Sequence, residues 1–347
     1  MTIDTKLSGR SVKKTIFFWL LIFIPIVFAV YFFFDGEGVT PLMRAARSGQ
    51  IQNLSSLIKK GADLDKKSKY DWTALMFASS EGHEKAVILL LDAGANPNNR
   101  SQEVDSSFET TAGYPPSTAL AVAIRESHLS IANILIDRGT FIDSDSVALA
   151  GRSGDIALLK KMIKKGADIN KPSTSAYVES PLCGASEGGN LEIVKWLIAN
   201  GADPNLLANG HTALEEAIRK DNSEIVLYLL KHGADPNIVF GSTKDTALIV
   251  AVTKHTWSGK YDENLAIIKM LLSYGADKSH KAFNGQHTAL GFKIIQRKNG
   301  LKYIKPKMDP EMRKIHTDSL AHDDAVIELL ENHKMLTTSS SRPQEAM

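Results

Sequence analysis

Apolar and polar positions repeat on a short cycle over most of the chain. Between residues 191 and 198, Leu191, Ile193, Val194, Leu197 and Ile198 recur at helical spacing. The same stripe returns in IVLYLLKHGAD at 225–235 and in IIKMLLSYGAD at 267–277. Each stripe stops at a glycine, which adopts a left-handed helix-ending conformation without Cβ strain. A shorter apolar segment precedes each stripe and in most cases opens on Thr or Ser, residues whose side-chain oxygen caps a helix. Pro41 and Pro181 follow two of these caps, where a missing N–H costs nothing. The predicted unit is therefore a pair of short helices, broken in one instance by Gly189 and Asn190. Residues 16–34, IFFWLLIFIPIVFAVYFFF, differ: they contain no charge and have no polar face.

The pair is a repeat. A G-A-D phrase or close variant occurs at Gly61, Gly94, Gly139, Gly166, Gly201, Gly233 and Gly275. A T-x-L phrase or its degenerate form occurs at Thr40, Thr73, Thr118, Asp145, Ser180, Thr212, Thr246 and Thr288. The separation is 21 residues in the first six units and 29 in the seventh, and His333 takes the glycine's place in the eighth. No single pair can bury both of its faces, so neighbours must stack into a shared core.

The segments TPLMRAARSGQIQNLSSLIKKGADLD (40–65), TALMFASSEGHEKAVILLLDAGANPN (73–98) and SPLCGASEGGNLEIVKWLIANGADPN (180–205) resemble ankyrin repeats. The resemblance covers residues 38–334. It implies an all-α solenoid of about eight helix-turn-helix repeats with short β-hairpin fingers, the D/N-P-N phrases at Asn96, Asp203 and Asp235 starting the fingers. It also implies protein binding rather than catalysis. The family's usual His after T-P-L is absent; Met43, Met76, Ala121, Ala148, Cys183, Glu215, Ile249 and Gly291 stand there. The unit from Asp145 is the poorest match.

As a helix, residues 16–34 would extend roughly 28 Å, close to a bilayer's hydrocarbon thickness. Lys6, Arg10, Lys13 and Lys14 precede the run, and Asp35 and Glu37 follow it. The positive-inside rule then predicts a cytoplasmic tail (1–15), a transmembrane helix (16–34) and an extracytoplasmic ankyrin domain (38–334), with a disordered tail at 335–347. In a bacterium this is a single-pass inner-membrane protein with a periplasmic domain. A cleaved signal is the alternative, disfavoured because its core is usually roughly 7–15 residues and no A-x-A site follows. The lone Cys183 excludes an internal disulfide and fits that location. A net charge of +2 gives no global field for nucleic acid.

Binding residues are sought where the repeat is interrupted and at finger tips. Residues 99–117 enlarge one finger and carry Phe108 and Tyr114, either recognition groups or aromatics tucked onto the stack. Residues 255–262, with Trp257 and Tyr261, lengthen a turn and suit a capping role. The basic stretch 296–318 is read as a polar loop leading into a terminal capping helix, with lipid or an acidic partner as the alternative. In the ankyrin family the residue before each T-x-L faces the concave groove; here these include Trp72, Ser144, Glu179, His211, Asp245 and His287. Trp72, with Tyr70 nearby, is the preferred contact.

Chemistry finds little support. Gly184-Ala185-Ser186-Glu187-Gly188 matches an esterase pattern that works only on a strand-to-helix elbow, whereas this one ends a helix. His83 lies at an inter-helix turn and is read as structural. Glu215 and Glu216, adjacent on a helix, are expected to point apart. No metal or cofactor site is expected. The expected role is a membrane-tethered scaffold for another protein. A toxin such as a lipase effector, which the protein would neutralise as an immunity factor, and a periplasmic enzyme are candidate partners.

Overall fold

A computed structural model describes residues 38–101, 117–173, 180–254, 261–282, 285–301 and 310–332. Its helices come in eight pairs. The first three pairs are α1 (Pro41–Arg47) with α2 (Ile51–Lys59), α3 (Ala74–Ser80) with α4 (Glu84–Asp92), and α5 (Ala119–Arg125) with α6 (Leu129–Asp137). They form one compact unit, ending at Thr140. The second unit begins at Phe141. It holds α7 (Ser144–Ser153) with α8 (Ile156–Lys164), α9 (Pro181–Glu187) with α10 (Leu191–Ala199), and α11 (Ala213–Arg219) with α12 (Ser223–Lys231). It continues with α13 (Ala247–Thr253) and α14 (Tyr261–Ser273), then α15 (Ala289–Leu301) and α16 (Pro310–Asn332).

Local chemistry starts the first helix of most pairs. Thr40, Thr73, Thr118, Ser180 and Thr212 each accept the N–H three residues on through the side-chain hydroxyl. Thr288 does the same for Gly291. The third helical position, where the family's His is missing, is filled by buried Met43, Met76, Ala121, Cys183 and Ile249. The fourth pair departs from the expected register. Asp143, not Asp145, caps α7 by accepting from Ser146 N–H at 2.8 Å. The earlier cap lengthens the helix, so Ser144 is its first residue rather than a finger tip. Asp145 sits in the first turn, buried, where its carboxylate accepts the Ser173 hydroxyl.

Two ladders of side chains join each pair to the next within a unit. On the finger side, Asn205 donates to Gly233 O (2.9 Å) and accepts from Asp235 N–H (2.7 Å). Asn170 makes the same two bonds to Gly201 and Asp203, and Asn237 to Gly275 and Asp277. In the first unit Asp65 accepts from Asn96 N–H and Asn99 Nδ2. At the opposite end, the His83 and His128 rings bond the carbonyls of Arg47 and Ser80, as Asn190 and Asn222 do those of Arg152 and Ser186. His83 is therefore structural. Gly49 is required beneath it, because a Cβ there would lie 2.7 Å from the ring.

Within the second unit α7 and α9 pack backbone to backbone. A Cβ at Gly184 would lie 2.5 Å from Ala148 O, and one at Gly151 would strike Pro181 O.

Two expectations are corrected. Among the described residues no strand forms, and the fingers reduce to isolated bridges at Arg100–Thr118, Ala208–His211, Phe240–Asp245 and Ala282–His287. The finger between Ala208 and His211 turns too tightly for more than one rung. Asn209 (φ 51°) and Gly210 (φ 84°) make the two-residue turn that needs positive φ at both positions. The second correction concerns the membrane. No described helix is long and apolar enough to cross one. The longest, α16, has 23 residues but carries charges along its length. Residues 16–34 lie outside the described residues, so the fold as described is an all-helical repeat stack without a transmembrane helix.

The basic stretch 296–318 contributes to both helices of the last pair, and its residues 302–309 lie outside the described residues. Arg297 pairs with Asp324 across them. Lys293, 2% exposed, reaches Asp323 at 2.8 Å and donates to Val252 O and Gln296 Oε1. His322 meets Asn264 at 3.0 Å, and the Tyr261 ring lies against it at 5.2 Å. Tyr261 thus packs against the last helix; Trp257 lies outside the described residues. Burial, then the Lys293 charge, lowers the His322 pKa to about 4, opposed by Asp323 and Asp262.

Two outcomes follow for stability. Asn205→Ala removes two inter-repeat bonds and should cost about 1–3 kcal/mol in urea unfolding, with the loss in midpoint rather than slope. For His322 the folded pKa lies below the unfolded value near 6.5, so the unfolded chain binds a proton that the folded chain refuses. Its contribution is intact above about pH 6.5 and declines as pH falls toward about 4. His322→Gln should flatten stability across that window, measured by chemical unfolding at a series of pH values.

Candidate protein-binding surface

In three described fingers the residue before the helix cap meets the fourth residue of that helix. This is the geometry of a hydrophobic staple, in which side chains on either side of the cap fix the angle of chain entry. In the first unit the pair is Trp72 and Phe77, ring centroids 5.1 Å apart and tilted by 50°. Backbone bonds hold Trp72 in place. Its N–H donates to Ser68 Oγ at 3.1 Å, and its carbonyl accepts from Ser68 N–H at 2.9 Å. Asp71, at φ 59°, makes the turn. Both rings remain half-buried, and Tyr70 beside them is half-buried with the Lys69 ammonium 5.3 Å from its ring.

The second unit carries the other described finger positions. His287 pairs with Phe292 at 5.0 Å, the same staple. Asp245 accepts the Thr243 hydroxyl at 2.6 Å, which keeps it within its own turn. His211 forms a polar version of the staple. Its Nδ1 lies 3.1 Å from Glu215 Oε2 and 3.6 Å from Glu216 Oε1. The two carboxylates were expected to diverge; they converge on His211 instead, because the ring comes from the finger and reaches both. Arg219 donates two bonds to Glu215 Oε1, at 2.8 and 2.5 Å. Leu207 and Val239, 46% and 42% exposed, occupy matching positions on consecutive fingers.

Sequence reasoning therefore named Tyr70, Trp72, His211, Asp245 and His287 on described fingers. Tyr70 and Trp72 share one finger of the first unit, and the others sit on separate fingers of the second. Phe108, Tyr114 and Glu179 lie outside the described residues. Phe77, half-buried, and the buried Glu215–Glu216 pair were missed as partners of the finger residues. The signal was available: an aromatic or ligating residue immediately before a Thr cap, matched by another four residues after it.

The esterase-like phrase has a packing explanation. Ser186 is fully buried in α9, and its hydroxyl has no hydrogen-bond partner. Gly184 and Gly188 are small because α7 backbone atoms pass within 2.7 Å of where a Cβ would stand.

The family model for ankyrin repeats in three copies matches residues 15–101 and 147–240, just over half of the chain. The chain belongs to the ankyrin repeat family. Among curated relatives, this ankyrin protein is 28% identical to a mitochondrial disaggregase of Bos taurus over 242 residues, covering 70% of the chain and 33% of the relative. It is 28% identical to the ankyrin repeat and KH domain-containing protein mask-1 of Caenorhabditis elegans over 281 residues, covering 72% of the chain and 10% of the relative. The chain thus spans a third or less of these relatives. Solved structures similar to it include the ankyrin repeat domain of human ASB11, at 20% identity and TM-score 0.41, covering 82% of this chain and 97% of that one. The ankyrin repeat domain of Bcl-3 follows at 24% and 0.48, covering 68% and 99%.

An ankyrin repeat domain is a protein-interaction scaffold, and that is the function the family supports. The expected location is corrected. These relatives are eukaryotic ankyrin proteins and no described helix can cross a membrane, so a bacterial inner-membrane, periplasm-facing placement has no support.

Ser186→Ala should leave stability unchanged or raise it by up to about 1 kcal/mol, since it removes a buried hydroxyl without a partner. Gly184→Val should destabilise by about 1–3 kcal/mol through overpacking. Thermal unfolding of the two variants beside wild type checks both. A nucleophile elbow would tie Ser186 to activity rather than to packing.

Proposed function

We propose that the protein binds another protein through the face of its first unit bearing Tyr70, Trp72 and Phe77. The observation that supports this is the Trp72–Phe77 pair, two large rings fixed by a staple yet not fully buried. Aromatic groups held rigid before binding lose little side-chain entropy when a partner arrives, and such residues dominate interface energetics. The two hydrogen bonds between Ser68 and Trp72, one donated by each, add to that rigidity.

A photo-crosslinking residue at position 72, in cells, tests the reading. A discrete protein should be captured from position 72 and not from exposed Lys85 on α4. Phe77→Ala should reduce capture at least tenfold while the fold, by circular dichroism, is kept. Equal yields from positions 72 and 85 would remove the aromatic face as the binding surface. The identity of the captured chain separates the narrower roles: a secreted toxin such as a lipase would mean immunity, and a resident enzyme would mean a stabilising accessory.

A further inference from the structure

In the second unit, α8, α10 and α12 carry a row of exposed lysines laid on aromatic rings, separate from the Trp72 face of the first unit. The Lys160 ammonium lies 5.7 Å from the centre of the Trp196 ring, and the Lys195 ammonium 5.9 Å from that of Tyr228. Lys160 and Lys195 are each the fifth residue of their helix, and Trp196 and Tyr228 each the sixth of the next. The lysine of one repeat therefore rests on the ring of the following one. A cation over an aromatic face is held without being neutralised. Both lysines are positioned in this way and remain exposed.

Basic charge gathers around the row. α8 contains Lys160, Lys161 and Lys164 and no acidic residue, and Lys165 follows as its C-cap. Lys164 and Lys165 suit the negative end of the helix dipole. Lys160 and Lys195 lie in the middle of their helices, where that explanation fails. Ion pairing does not account for them either. Elsewhere in the unit Lys220, Lys254 and Lys293 each meet a carboxylate, at 3.3, 2.6 and 2.8 Å. Among the described residues Lys160, Lys164, Lys165 and Lys195 meet none. The first unit has no counterpart: its second helices carry Ser55 and Ser56, Ile88 and Leu89, and Asn133 and Ile134 at the same two positions.

The chemistry of the row selects its occupant. Exposed cations without a carboxylate call for an anionic partner. A nucleic-acid strand would need open rings on which its bases could stack. Here Trp196 and Tyr228 already hold lysines, and Tyr228 also stacks on His232 at 3.9 Å. An anionic membrane favours a continuous basic surface, and exposed Glu192 and Glu224 interrupt this one. An acidic peptide suits it better. Packed helices stand roughly 8–10 Å apart, and three residues of extended chain cover roughly 10 Å. Carboxylates at every third residue thus match lysines on successive helices.

We propose that the face of α8 and α10 bearing Lys160, Lys164, Lys165 and Lys195 binds an extended acidic segment of a partner protein, its carboxylates three residues apart. The test is fluorescence anisotropy of the full-length chain with two labelled twelve-residue peptides of identical composition. One has glutamate at every third position, and the other has its glutamates in a single block. Binding to a twelve-nucleotide oligothymidylate and to phosphatidylserine vesicles is measured beside them. The spaced peptide should bind at least fivefold more tightly than the blocked one and should weaken as salt rises. Lys160→Glu with Lys195→Glu should weaken it at least tenfold with circular dichroism unchanged, whereas Lys59→Glu, on α2 of the first unit, should have no effect. Equal affinity for the two peptides would overturn the proposal, as would wild-type affinity in the double variant or tighter binding of the oligonucleotide or the vesicles. If the double variant fails to fold, Lys195→Ala and the comparison of the two peptides still decide.

Discussion

Everything in each unit follows from the shortness of its helices. A first helix of seven residues leaves most of its carbonyls and N–H groups without an intrahelical partner, and the end groups must be satisfied from outside. Thr, Ser or Asp caps supply the start. The ends are supplied by the neighbouring pair, whose His83, His128, Asn190 and Asn222 side chains reach back to the last carbonyls of the first helix of the preceding pair. On the finger side Asn170, Asn205 and Asn237 do the same for the turn that closes the second helix of the next pair. Polar satisfaction and apolar burial thus both run between repeats. A pair removed from its neighbours would lose its core and its end groups together, which makes nearest-neighbour coupling the source of stability.

That dependence explains which parts of the fold were legible. Helix pairs could be read because Thr caps, apolar stripes and terminal glycines are local signals, repeated at a fixed interval. The same repetition misled at Asp145. The spacing to Gly166 was kept, but Asp143 was an equally good cap two residues earlier, and the helix began there. Finger strands were expected from the family pattern, yet a turn as tight as Asn209–Gly210 leaves room for one bridge. The buried Lys293–Asp323 pair and its neighbours His322 and Asn264 were illegible, since they join helices far apart in sequence. Lys293 carries no local signal, yet it is 2% exposed and held by Asp323, Val252 O and Gln296.

The candidate surfaces were legible in half of their members. The residue before each Thr cap was flagged because the family turns it toward the groove, and Trp72, His211 and His287 do meet a partner residue there. Their partners Phe77, Glu216 and Phe292 were passed over as helix residues. Glu215 and Glu216 were judged on the helix alone, where adjacent side chains diverge. The missing element was the finger, which brings a third side chain to where two diverging ones can both touch it.

The staple also links stability to recognition. A side chain that fixes the angle at which a finger enters its helix must stay in one conformation, and a contact surface benefits from the same restraint. In Trp72 the two demands coincide: the indole meets Phe77 at 5.1 Å and is only half-buried. Where the staple is polar, the restraint comes from charge rather than from packing, through Arg219 and the buried Glu215 carboxylate. A repeat of this kind can therefore change what it binds by exchanging two residues around its cap, without altering the helices that carry them. The price is that such an exchange also resets the entry angle of one finger, and the Asn ladder on which the next repeat hangs begins in that same finger.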